Sequence, residues 1–89
     1  MLSEDLIVTN PKGIHARPSA LIVQTAQTLD SAITLTAQGE TVRATEIMDV
    51  LSLGAGPGET IRVSVEGGDE KRALQRMKEI FALNFNDKD

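Results

Sequence analysis

At 89 residues the chain can build one small hydrophobic core and not two, so a single domain over residues 1–89 is expected. It contains no cysteine, which excludes a disulfide framework, a thiolate nucleophile and a zinc site built on cysteines. A formal charge of −4, no tryptophan or tyrosine and only two phenylalanines argue against nucleic-acid binding, which needs a basic face and often stacking rings.

The opening MLSEDLIVTN is acidic where a secretory signal would be basic, and apolar runs last only a few residues. A cytoplasmic protein without membrane insertion is the expectation. Leu6-Ile7-Val8-Thr9 reads as a short strand, closed by the turn-forming Asn10-Pro11-Lys12-Gly13. From Ala16 to Leu29 the apolar residues Ala16, Ala20, Val23, Ala26 and Leu29 recur at helical spacing, with Gln24, Gln27 and Thr28 turned outward. Pro18 suits this helix only in its first turn, where a missing N–H breaks no bond, and that puts His15 at or beside the N-cap.

Ile33-Thr34-Leu35-Thr36 alternates like a half-buried strand, and Gln38-Gly39-Glu40 turns into an antiparallel partner, Thr41-Val42-Arg43-Ala44. Thr45 is expected to cap a short helix through Leu53, with Glu46 in its first turn and Gly54 as terminator. Ile47, Met48, Val50, Leu51 and Leu53 surround that helix, which is therefore either deeply buried or leaves apolar surface for a partner. After the loop Gly54-Ala55-Gly56-Pro57-Gly58, the alternation of Ile61, Val63 and Val65 marks a strand, broken by Gly67-Gly68. Asp69 is placed to cap the last helix, whose inward stripe is Ala73, Leu74, Met77, Ile80 and Phe81 and whose wet face carries Arg72, Gln75, Lys78 and Glu79. Residues 84–89 read as a fraying polar tail. The order β-α-β-β-α-β-α predicts an α+β fold, an antiparallel sheet with helices segregated to one face.

His15, the only histidine, stands two residues from Arg17. A neutral imidazole can accept a phosphoryl group on a ring nitrogen, a helix N-terminus offers unpaired N–H groups to phosphate oxygens, and a guanidinium fork engages two such oxygens. These residues alone leave a second reading open, in which His15 merely caps a helix and Arg17 is a solvated charge.

The wider segment NPKGIHARPSA resembles the active-site segment of the HPr family, the histidine-containing phosphocarriers of the bacterial phosphotransferase system. IMDVLSLGAGPGETIRVSVEGGDEKRAL resembles the second half of the same family, so the likeness runs from about Leu6 to Phe81. It implies an open-faced β-sandwich of four antiparallel strands with three helices on one face. It also implies that His15 takes a phosphoryl group from Enzyme I and passes it to an Enzyme II A-type domain, with Arg17 steadying the group. Such a protein is a carrier and not an enzyme, needs no cofactor, and can engage transcriptional or metabolic regulators. By the same resemblance Ala20, Ile47, Met48 and Leu51 form the docking patch, although ordinary core packing stays open for Ile47 and Leu51.

Glu46 stands where many family members carry a regulatory serine. It is either a fixed negative charge that tunes partner choice or simply an acid favoured near a helix start. With Asp49 it makes the docking region acidic, which leaves room for the nitrogen-related regulatory branch beside sugar uptake, and for a phosphate-independent interaction module. The glycine loop at 54–58 fails as a nucleotide site because it follows a helix and leads into a strand. Ser19, Thr45, Ser52 and Ser64 lack any paired base and are expected to be caps and surface groups; no spacing suggests a metal site.

Overall fold

A computed structural model describes residues 1–86. Its elements are β1 (Leu2–Ile7), α1 (Ala16–Gln27), β2 (Ala32–Ala37), β3 (Glu40–Arg43), α2 (Ile47–Ser52), β4 (Thr60–Glu66), α3 (Glu70–Ala82) and a closing 3-10 turn, Asn84–Asn86. The expected order is borne out, and the strands form one antiparallel sheet in the order β1-β4-β2-β3.

Strand periodicity decides which face the helices cover. Ile33, Leu35 and Ala37 of β2 and Ile61, Val63 and Val65 of β4 are buried beneath them, whereas Thr34, Thr36, Arg62 and Ser64 look to the open side. Helix α3 lies against β1 and β4, and α2 packs on α1 and β3. The core joins these strands to Ile22, Val23 and Ala26 of α1, Val50 of α2, and Ala73, Met77, Ile80 and Phe81 of α3. The β2–β3 hairpin closes through Gln38 and Gly39, with φ of 52° and 81°, the left-handed pair that a type I′ turn requires.

Four expectations need correction. The first strand spans Leu2–Ile7 and not Leu6–Thr9. As an edge strand it keeps Ser3 and Asp5 in water, and its half-buried Glu4 reaches Lys78 of α3 at 3.3 Å, so its polar residues hide the pairing from a search for apolar runs. Val23, Ala26 and Leu29 are buried as expected, but at the start of α1 the inward residues are Pro18, Ser19 and Ile22; Ala16 is exposed, Ala20 is half-buried, and Ser19 is fully buried, not a surface group. It ends at Gln27, where the Thr28 side-chain hydroxyl turns back to the Thr25 carbonyl at 2.7 Å. Helix α2 has Glu46, not Thr45, at its N-cap, and the acid in its first turn is Asp49.

The last correction concerns the tail. Asn84 and Phe85 both take positive φ, 52° and 58°, and fold the chain back so that the Phe85 ring is buried edge-on against Phe81 with centroids 4.7 Å apart. Residues 87–89 of the expected tail lie outside the described residues.

Asp69 stands at the N-cap of α3 as expected, but its carboxylate makes no cap bond. It accepts instead from the Ser31 hydroxyl and from the backbone N–H groups of Ser31 at 2.8 Å and Asp30 at 2.9 Å, tying α3 to the turn before β2. The Ser31 hydroxyl, followed by the Asp30 N–H, holds this carboxyl below the usual aspartate value.

Candidate phosphorylation site

The segment between β1 and α1 is fixed by the loop between α2 and β4. Val8 donates its N–H to the Glu59 carbonyl at 2.9 Å and accepts from Gly58 N–H at 2.7 Å. Ile14 N–H donates to the Ala55 carbonyl at 2.8 Å. Between these ties the chain turns on itself, with Gly13 N–H to the Asn10 carbonyl at 3.1 Å and the buried Asn10 side-chain amide to the Gly13 carbonyl at 2.6 Å. Gly13 has φ of +70°, and a Cβ there would meet the Ala55 oxygen at 2.6 Å and Gly56 Cα at 2.8 Å. Only glycine permits both the left-handed turn and this approach of two backbones. The opposing loop is itself braced, since the Glu59 carboxylate accepts from Gly56 N–H and from the Gln38 side-chain amide.

This braced segment delivers His15 to the N-cap of α1 in an extended conformation, φ −114° and ψ −162°. Its side chain makes no capping hydrogen bond and is half-exposed. The first helical bond runs from Ser19 N–H to the His15 carbonyl at 2.9 Å. The N–H groups of Ala16 and Arg17 therefore have no acceptor inside the helix, and Pro18, at the third helical position and buried, sacrifices no bond. Arg17 is exposed on the next residue but one and enters no ion pair among the described residues. One imidazole, one exposed guanidinium and an open helix end thus lie within three consecutive residues, the grouping suited to an exposed phosphoryl group.

The residues expected to form the docking patch lie on α1 and α2, which pack together. Ile47 is 41 % and Met48 73 % exposed, while Ala20 and Leu51 are half-buried. Val50 and Leu53 supply the buried side of α2, which explains why a two-turn helix carries apolar residues all round. Glu46 and its exposed carboxylate stand at the start of this helix without a capping bond.

Reading the sequence missed the supports of the site, namely Asn10, Gly13, Ser19 and the 54–59 loop. The cluster Asn10-Pro11-Lys12-Gly13 announced a turn, and the glycine-rich 54–58 stretch announced backbone freedom. Neither signal says that the two loops meet. Among the described residues no group of three or more histidines and carboxylates could hold a metal ion, and no helix is long and apolar enough to cross a membrane.

Residues 2–82 match the family described as the PTS HPr component phosphorylation site. The chain is 45 % identical over 87 residues to phosphocarrier protein HPr of Xylella fastidiosa strain 9a5c, covering 98 % of each, and 40 % identical to that of Treponema pallidum, covering 98 % of this chain and 99 % of that one. A crystal structure of HPr from Thermoanaerobacter tengcongensis superposes with a TM-score of 0.93 at 34 % identity over 99 % of both chains. Fold and matches together define a small phosphocarrier, a protein that bears a phosphoryl group between others and is not itself the enzyme. The chain belongs to the HPr family, and its role is that of a phosphoryl carrier in the phosphotransferase system.

Proposed function

We propose that His15 is the residue that bears the phosphoryl group, that Enzyme I supplies it, and that an Enzyme II A-type domain receives it in sugar uptake. The observation that carries this reading is the half-exposed imidazole at the N-cap of α1, beside two backbone N–H groups without helical acceptors and the exposed guanidinium of Arg17.

In the first transfer a ring-nitrogen lone pair of His15 attacks phosphorus, a new N–P bond forms, and the bond to the donor breaks with its electrons returning to Enzyme I. In the second, His15 is the leaving group and the acceptor provides the lone pair. Little covalent work falls to the surroundings in phosphoryl transfer, which is governed by positioning and by charge on the equatorial oxygens. The Ala16 and Arg17 N–H groups and the Arg17 fork are suited to those oxygens. Charge-assisted hydrogen bonds of this type contribute about 1.5–3 kcal/mol each, less in water-exposed settings. An open site suits a carrier, because the group must leave again to the next protein.

Ile47 and Met48, with the partly covered Ala20 and Leu51, provide apolar area that both partners can bury in turn. A second reading assigns the chain to the nitrogen-related regulatory branch. It is supported by the exposed Glu46 carboxylate and by Asp49, which make this surface acidic.

Intact mass after incubation with phosphoenolpyruvate and Enzyme I of either branch tests both readings. One acid-labile, base-stable phosphate is expected on the natural chain and none on His15→Ala, with Arg17→Ala charged about ten- to a hundredfold more slowly. An adduct that survives His15→Ala would overturn the assignment of the residue. Faster charging by the nitrogen-type Enzyme I would move the chain to the second branch.

A further inference from the structure

The carrier reading leaves one contact beside the site without a purpose. Thr9 lies between two pinned residues, Val8 held to Gly58 and Glu59, and Asn10 held to Gly13. Its own hydroxyl donates to the side-chain oxygen of Asn84 in the closing 3-10 turn. The two residues are far apart in sequence, Thr9 in the connection after β1 and Asn84 at the start of the 3-10 turn.

The turn is built to hold that oxygen still. Asn84 and Phe85 both occupy the left-handed region, at φ 52° and 58°. Asparagine tolerates that conformation, but phenylalanine adopts it only when its surroundings over-determine it. Burial of the Phe85 ring, 4 % exposed and edge-on against Phe81, supplies the constraint. The turn packs on α3 and also on α1, the helix whose first turn carries His15 and Arg17. The hydrophobic core is thus linked to the site segment through Thr9, in addition to the ties from the 54–59 loop.

We propose that Thr9 and Asn84 are positioning residues for phosphoryl transfer, a brace that uses the Phe85 anchor to set the segment from Thr9 to His15 at the mouth of α1. The proposal rests on His15 as the acceptor. Loss of the brace leaves docking and fold in place and disturbs only where the imidazole stands, so it slows the transfer step and not the encounter. Small displacements of a reacting group are costly to rate, which sets the expected size of the effect.

The experiment follows charging of the full chain by Enzyme I and phosphoenolpyruvate, with kcat and KM separated, and records the His15 ring resonances and the thermal midpoint. Thr9→Val keeps shape and removes the donor, and Thr9→Ser keeps the hydroxyl. Asn84→Gly removes the acceptor while easing the left-handed backbone. Thr9→Val and Asn84→Gly are expected to lower kcat about three- to tenfold with KM unchanged and to shift the His15 resonances, and Thr9→Ser is expected to restore both. Natural kcat and ring resonances in folded Thr9→Val and Asn84→Gly would overturn the brace, as would a change confined to KM or a Thr9→Ser variant as slow as Thr9→Val. If Thr9→Val does not fold, Asn84→Gly alone decides by the same criteria. A natural chain that takes no phosphate on His15 would instead overturn the carrier assignment on which the brace depends.

Discussion

Replacing Gly13 with alanine should destabilise the protein far more than the same change at Gly39, although both glycines have strongly positive φ, +70° and +81°. At either position a side chain must hold a left-handed backbone, at a cost of about 1–2 kcal/mol. Gly39 has nothing within 4 Å of its missing Cβ, so for Gly39→Ala the cost ends there. At Gly13 the new carbon would stand 2.6 Å from the Ala55 oxygen and 2.8 Å from Gly56 Cα, and backbone atoms cannot swing aside like a side-chain end. The two loops must part, which stretches the 2.8 Å bond from Ile14 N–H to Ala55, where both residues are buried. Leaving such groups unsatisfied adds about 1–3 kcal/mol, for a total of about 2–5 kcal/mol. An 89-residue protein holds roughly 4–13 kcal/mol of stability in all, so the variant would lose a large part of it. Urea unfolding followed by far-ultraviolet circular dichroism gives both free energies. Equal losses for Gly13→Ala and Gly39→Ala would refute the idea that close contact between the two loops, beyond backbone conformation, holds the site segment.

Two further outcomes can be checked on the same preparations. The Asp69 carboxyl is held below its ordinary value by the Ser31 hydroxyl and the Asp30 N–H, so its stabilising effect is complete above the unfolded carboxylate range, near pH ~4, and fades as pH falls through the lower folded value. Asp69→Asn should therefore show a shallower decline of the urea midpoint on acidification than the natural chain, and parallel curves would sink that account. Met48→Ser, at a 73 % exposed position, should leave the unfolding free energy within about 0.5 kcal/mol of natural while raising the KM for charging by Enzyme I; an unchanged KM would remove Met48 from the docking surface.

Where the alternation of residues is clean, the fold was legible. Ile61, Val63 and Val65 and the Gln38-Gly39 turn announced β4 and the hairpin, and the spacing of Ala73, Met77, Ile80 and Phe81 announced α3. It failed where a polar residue is buried or a strand is half wet. Ser19 sits fully inside at the start of α1, where Ala16 and Ala20 were expected to face the core, while Ser3 and Asp5 mask β1. The site divides in the same way. His15 and Arg17 are neighbours along the chain, so their meeting at the helix start could be foreseen from Pro18. The support from Ala55, Glu59 and Asn84 depends on contacts between remote segments, and no local pattern encodes them. Phe85 was lost among polar neighbours because its burial requires two consecutive left-handed residues, which composition does not announce.

The bonds from Val8 to Glu59 and from Ile14 to Ala55 join the N-terminal segment around the histidine to a loop made only past the middle of the chain. During synthesis, therefore, the N-terminal segment can contain His15 and Arg17 without yet presenting them correctly, because the loop that shapes them and the strand that pairs with β1 are still to be made. If His15 bears the phosphoryl group as proposed, competence to be charged would arrive only with closure of β1 against β4. Phosphate uptake would then act as a maturity check, admitting finished molecules to the relay and leaving nascent or unravelled ones uncharged.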